Sequence, residues 1–156
     1  MNKKLKFNNI SAQVKELTEE WYQRLIKLSE NDISGKKNFQ NRTIREIMGH
    51  LIDSASNNHQ RIIRLQYNSK LNFPDYRQDN DQWIKIQNFQ EENWEDLLNL
   101  WKYYNIHLTH IFKNIDNSKL RNTWIDFEGN VVTLEEMVTS YLFHINLHFG
   151  EIEELL

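Results

Sequence analysis

His144 and His148 stand four residues apart in a stretch whose apolar residues recur at helical spacing. One helical turn therefore brings both imidazoles to the same face, where they can share one metal ion. A third histidine, His50, lies far upstream in Gly49-His50-Leu51-Ile52-Asp53-Ser54, inside another helical pattern. If the fold brings the two helices together, three neutral nitrogens can hold a divalent metal and leave a coordination position open. An open position distinguishes a catalytic metal from a structural one. Inward histidines are also common as hydrogen-bonded core residues, so the residues alone leave that reading standing beside the ligand reading.

The helices that must position these groups have legible faces. In the segment that opens with the capping box Thr43-Ile44-Arg45-Glu46 and runs to about Tyr67, Ile44, Leu51, Ala55 and Ile62 form a core stripe flanked by Met48 and Ile52. About 100° around the same helix lie His50, Ser54, Asn57 and Arg61, with Glu46 and Asp53 at the margin. Such a mixture of hydrogen-bonding types beside an apolar stripe fits the wall of a polar pocket. In the last helix, opened by a second capping box, Thr133-Leu134-Glu135-Glu136, the core stripe is Leu134, Val138, Tyr141, Ile145, Phe149 and Ile152. His144 and His148 flank that stripe and face inward. Glu151 lies within one turn of His148 and could orient it. Together with Glu153 and Glu154, Glu151 otherwise reads as part of a solvated helix face.

Two further long patterns complete the set. One runs from about Ser11 to Leu28, with Val14, Leu17, Trp21 and Leu25 on its stripe. The other runs from about Glu91 to Lys113, with Trp94, Leu97, Leu98, Trp101, Tyr104, Leu108, Ile111 and Phe112. Between them, Asn31–Asn41 reads as a polar connection, and a short helix is expected around Gln82–Ile86. Trp124 to Val132 reads as a small hairpin turning at Glu128-Gly129-Asn130. His107 and His110 project away from the apolar stripe and are expected at the solvated surface. His59 falls off the polar stripe of its helix.

Residues 1–156 are expected to form a single all-α domain, a four-helix bundle whose long connections allow an order other than up-down-up-down. Four glycines and one proline suit long helices. The chain contains no cysteine, which excludes disulfides, thiolate metal sites and a cysteine nucleophile, and fits a reducing cytoplasm. A net charge of −3 with mixed signs gives no footprint for nucleic acid. No apolar run has the length of a membrane span. Asn146 and Leu147 occupy the positions between the paired histidines, so the glutamate of a His-Glu-x-x-His peptidase is missing.

Two signatures carry a resemblance to a known family. Gly49-His50-Leu51-Ile52-Asp53-Ser54 followed by Asn57 and Arg61, and Tyr141-Leu142-Phe143-His144-Ile145-Asn146-Leu147-His148, resemble the second-helix and C-terminal signatures of the DinB/YfiT-like superfamily. Thr133-Leu134, Trp83 and Pro74-Asp75-Tyr76 also fit its YfiT-like branch, and the likeness runs roughly from Thr43 to Ile152. It implies a four-helix bundle, usually a homodimer, with a divalent metal, typically zinc or nickel, on His50, His144 and His148. It also implies transfer of a low-molecular-weight thiol such as bacillithiol to an electrophilic small molecule. On that reading Asn57 and Arg61 bind the thiol cofactor, and Asp53 or Ser54 orients a ligand imidazole, so that Asn57, Arg61 and Asp53 form the catalytic set around the metal. Two alternatives use the same histidines. One is hydrolysis by metal-activated water; the other is a non-enzymatic, dimeric stress-response protein that binds metal without turnover.

Overall fold

The computed structural model describes residues 3–73 and 77–156. Four long helices make the bundle: α1 (Lys3–Leu25), α3 (Ile44–Leu65), α5 (Trp94–Lys113) and α6 (Leu134–Glu153). Two short helices, α2 (Glu30–Gly35) and α4 (Asn80–Gln87), sit in the connections. Strands β1 (Lys70–Leu71), β2 (Thr123–Ile125) and β3 (Val131–Thr133) form a small sheet in that order. The all-α bundle expected from the sequence is the architecture found.

The order of packing is not that of sequential neighbours. α3 packs against both α5 and α6, and α1 packs against the same two helices. α1 and α3, adjacent in the chain, therefore lie on a diagonal of the bundle. This puts α3 beside α6 and brings the signature carrying His50 onto the one carrying His144 and His148.

The boundaries follow caps and buried residues. α1 begins well before Ser11 because Phe7 and Ile10 extend its buried stripe upstream of Val14. It ends at Leu25, and tight turns carry Lys27 and Leu28 to the next cap. That cap is Ser29, whose capping box with Asp32 starts α2 inside a segment expected to be irregular. α2 is held to α3 by the buried Arg45, which bonds Glu30 at 2.6 Å and also reaches the Glu92 carbonyl. α5 starts at Trp94 rather than Glu91, because the Asn93 side chain accepts the Asp96 amide and fixes the first turn there.

The expected hairpin is present, with β2 antiparallel to β3 and Gly129 at a φ of 85° in its turn. β1 adds in parallel to β2, which places Trp124 opposite Leu71. The sheet stands beside the α3–α6 seam and lends Trp124 and Val132 to the cleft described below. The Pro74-Asp75-Tyr76 stretch lies outside the described residues. Among the described residues no helix is long and apolar enough to cross a membrane.

Gly49, next to His50, has no room for a side chain. A Cβ at this position would lie 2.3 Å from Cδ2 of the buried Phe89. Gly49→Ala is expected to lower stability by about 1–3 kcal/mol through this overlap, in spite of the better helix propensity of alanine. Gly150→Ala meets no atom within 4 Å and is expected to stabilise by up to about 1 kcal/mol. Denaturant melts of the two variants check the pair, and a Gly49→Ala protein as stable as wild type would contradict the overlap.

Candidate metal centre

The structure brings His50, His144 and His148 into one cluster, with one candidate ligand atom from each lying within 4.8 Å of the others. The rings of His50 and His148 are 4.8 Å apart between centroids, those of His144 and His148 4.6 Å, and those of His50 and His144 5.7 Å. His50 and His148 are buried and His144 is half-buried. The seam between α3 and α6 is thus the only thing needed to assemble the group, and the diagonal packing order supplies it.

The outward nitrogens of the α6 pair have partners. His148 Nδ1 lies 3.1 Å from Glu151 Oε2, so the buried carboxylate accepts the Nδ1 proton. His144 Nδ1 lies 3.3 Å from Ser54 Oγ. Both contacts turn Nε2 toward the cluster, where the two Nε2 atoms are 3.1 Å apart. Two nitrogens bound at about 2.1 Å to one ion lie about 3.0–3.4 Å apart for angles between octahedral and tetrahedral, so this spacing fits a shared metal. His50 Nδ1 is buried and has no hydrogen-bond partner, an unmet polar atom of the kind a metal satisfies. An all-imidazole donor set suits zinc, nickel or copper.

Electrostatics also favour the ligand state. Burial, assisted by the neighbouring His148, His144 and Arg42, pushes His50 down to about 3. Burial and then His148 push His144 down to about 4. Both imidazoles are therefore neutral at physiological pH. Burial raises Asp53 to about 6, against the smaller opposing pull of its Gln87 hydrogen bonds.

These shifts set the acid response of metal-free protein. The unfolded chain protonates its histidines near 6.5, while the folded His50 and His144 resist, so stability falls as pH drops below that value. Asp53 acts in the opposite sense: its neutral form adds stability at low pH that is lost as pH rises through about 6. From pH 7 to pH 5 the two imidazoles lose about 2 kcal/mol each and the carboxyl returns about 1, a net loss of about 3 kcal/mol. Thermal melts of chelator-treated protein should show Tm several degrees lower at pH 5. A Tm that rises on acidification would contradict the assigned shifts.

The other polar residues of α3 divide between two directions. Ser54 reaches His144, and Arg61 lays its guanidinium 4.0 Å above the Trp124 ring. Both line a cleft of about 390 Å³ together with Asn58, Met137, Phe143, His144 and Leu147. Asn57 and Asp53 point instead to the α4 region. Asn57 donates to Gln78 at 2.6 Å, and Asp53 accepts from Gln87 at 2.9 and 3.0 Å. Ser54, not Asp53, is therefore the α3 residue in contact with a cluster imidazole. Trp124 and Val132 are the cleft residues that helix periodicity does not reveal, because they reach the site from the sheet. Glu151 is not part of a solvated end: it is buried, its carboxylate engaged by His148 and Asn38, whereas Glu153 is exposed and pairs with Arg24.

No family model and no curated protein matches the chain. Among solved structures, a Bacillus subtilis protein described as a probable metal-dependent hydrolase with an unusual four-helix bundle topology, YfiT, aligns with a TM-score of 0.82. The chain has the YfiT fold. The alignment covers 97% of this chain and 85% of that one at 17% identity, so the likeness is one of fold. It extends through α1 and α2, where the chain carries no recognisable motif. The diagonal order of the long helices is thus the arrangement within which the YfiT fold sets α3 against α6.

Proposed function

We propose that the protein is a metal-dependent enzyme that transfers a low-molecular-weight thiol, such as bacillithiol, to an electrophilic small molecule. His50, His144 and His148 would hold one divalent ion, zinc or nickel. The observation that carries this reading is the buried three-imidazole cluster whose His144 edge lines an open cleft. A bound divalent ion supplies Lewis acidity that lowers the pKa of a thiol or a water.

The chain's own residues do the rest. Glu151 and Ser54 hold the Nδ1 sides of His148 and His144, fixing the ring orientations. Arg61, stacked on Trp124, presents positive charge to an anionic group of the thiol or the substrate. Asn57 would bind the thiol cofactor from the α4 side of α3, where its side chain donates to Gln78. Asp53 acts as a positioning residue, since its bonds to Gln87 tie the end of α4 to α3. Met137, Val132, Phe143 and Leu147 give the cleft an apolar side that suits the organic part of an electrophile. With no cysteine in the chain, the thiol must come from outside the protein.

Hydrolysis is the second reading, favoured by the description of YfiT. The two separate in one assay: metal-loaded protein with an epoxide or an aryl halide, with and without bacillithiol. We expect turnover that requires the thiol and is lost in His50→Ala. Equal turnover of an ester or amide without thiol would give the hydrolytic reading. No rate above His50→Ala in either assay would overturn both.

A further inference from the structure

His59 and His107 were set apart by their facing in the sequence, yet the fold joins them. His59 leaves α3 on the side opposite His50, because nine residues are two and a half helical turns, about 14 Å along the axis. It meets α5, where its ring lies 5.2 Å from that of His107 between centroids, at an interplanar angle of 83°. This separation falls within the 4.6–5.7 Å range of the three-histidine cluster, and the rings meet edge-on as those do, at a slightly steeper angle than its 61–79°. His59 Nδ1 is engaged by Tyr104 Oη at 3.2 Å, which leaves Nε2 as its ligand atom. The arrangement repeats what Ser54 and Glu151 do for the first cluster. His107 is exposed, and burial together with His107 holds His59 below its ordinary value, which favours its neutral form. His110, one turn further along α5, stacks at 6.5 Å from His107 and belongs to a different geometry.

We propose that His59 and His107 form a second metal site, a two-imidazole clip between α3 and α5 that takes a borderline divalent ion, with Cu²⁺ bound most tightly. Water completes the coordination. Two nitrogens follow the general order in which Cu²⁺ exceeds Ni²⁺ and Zn²⁺. The clip ties α3, the helix that carries His50, to a helix that supplies nothing to the first cluster. It is independent of the proposed catalytic reading, since it shares no residue with that site.

The test is a Cu²⁺ titration of chelator-stripped protein, with glycine as competitor to suppress weak sites, read by equilibrium dialysis and by the copper electron-paramagnetic spectrum. Wild type should bind two equivalents. His107→Ala, at an exposed position, should bind one, with the second weakened at least tenfold, and His59→Ala should do the same. His144→Ala should keep the clip and lose the first site. His110→Ala should still bind two. One equivalent in wild type, or two retained in both His59→Ala and His107→Ala, would overturn the proposal. So would loss of the second equivalent in His110→Ala alone.

Discussion

His144→Ala is expected to leave a folded protein that no longer retains its metal. His144 is half-buried on the cleft side of α6, so truncating it opens space toward solvent instead of a sealed cavity. What it removes is one of the three proposed protein ligands. Loss of a partner beyond the ligand shell already weakens metal sites by about 10–100-fold, and loss of a ligand should exceed that. After purification and dialysis, wild type should hold close to one equivalent of zinc or nickel and His144→Ala less than about a tenth of that. Circular dichroism should remain helical. Activity in the thiol-transfer or hydrolysis assay should fall to that of chelated wild type. His107→Ala serves as the control, because it removes a histidine of α5 without touching the cluster, and should keep the dialysis-resistant equivalent. Equal metal content in wild type and His144→Ala would mean that the three imidazoles do not form the site.

The parts of this centre that could be read from sequence are those carried by helix periodicity. Facing alone placed His50 beside Ser54 and set His144 and His148 inward, and both helices keep their capping boxes at Thr43 and Thr133. The ring-to-ring contact across the α3–α6 seam could not be read that way, since it depends on which long helices become neighbours. Composition says nothing about a diagonal order. Arg61 illustrates the same limit: its place on the α3 face was legible, but its partner Trp124 comes from a three-residue strand that pairs only in the folded chain. Asp53 illustrates another. Its position at the stripe margin suggested an imidazole partner, but the neighbouring α4 supplies Gln87, which takes both carboxylate oxygens. The Ser29–Asp32 capping box starts α2 where the sequence reads as a polar connection, because six residues are too few to show a period. His59 and His107 were each correctly placed off the stripes, and only the packing of α3 on α5 shows that they face one another.

Glu151→Ala should weaken metal binding by about 10–100-fold while leaving all three ligands in place. His148 can offer Nε2 to an ion only while its proton sits on Nδ1, and Glu151 Oε2, 3.1 Å away, is the group that keeps it there. The carboxylate is buried, and Asn38 Nδ2 donates to the same oxygen at 3.1 Å, which fixes its position. Without it, His148 has no acceptor for its Nδ1 proton, the Nε2–H tautomer gains ground, and the ring loses its orientation. Glu151→Gln keeps a carbonyl acceptor but removes the charge that strengthens the imidazole as a donor to metal. It should therefore fall between wild type and alanine, near a tenfold loss. Asn38→Ala loosens the carboxylate and also removes the acceptor of the Gln40 and Arg42 amides; its effect on metal affinity should be the smallest of the three. Competition against a chromophoric chelator at neutral pH measures the series, and thermal melts of the stripped proteins separate lost affinity from lost fold. An order other than wild type, Asn38→Ala, Glu151→Gln, Glu151→Ala would show that Glu151 does not act through His148. If Glu151→Ala bound as tightly as wild type, the carboxylate would be a packing residue at the end of α6 and no part of the metal centre.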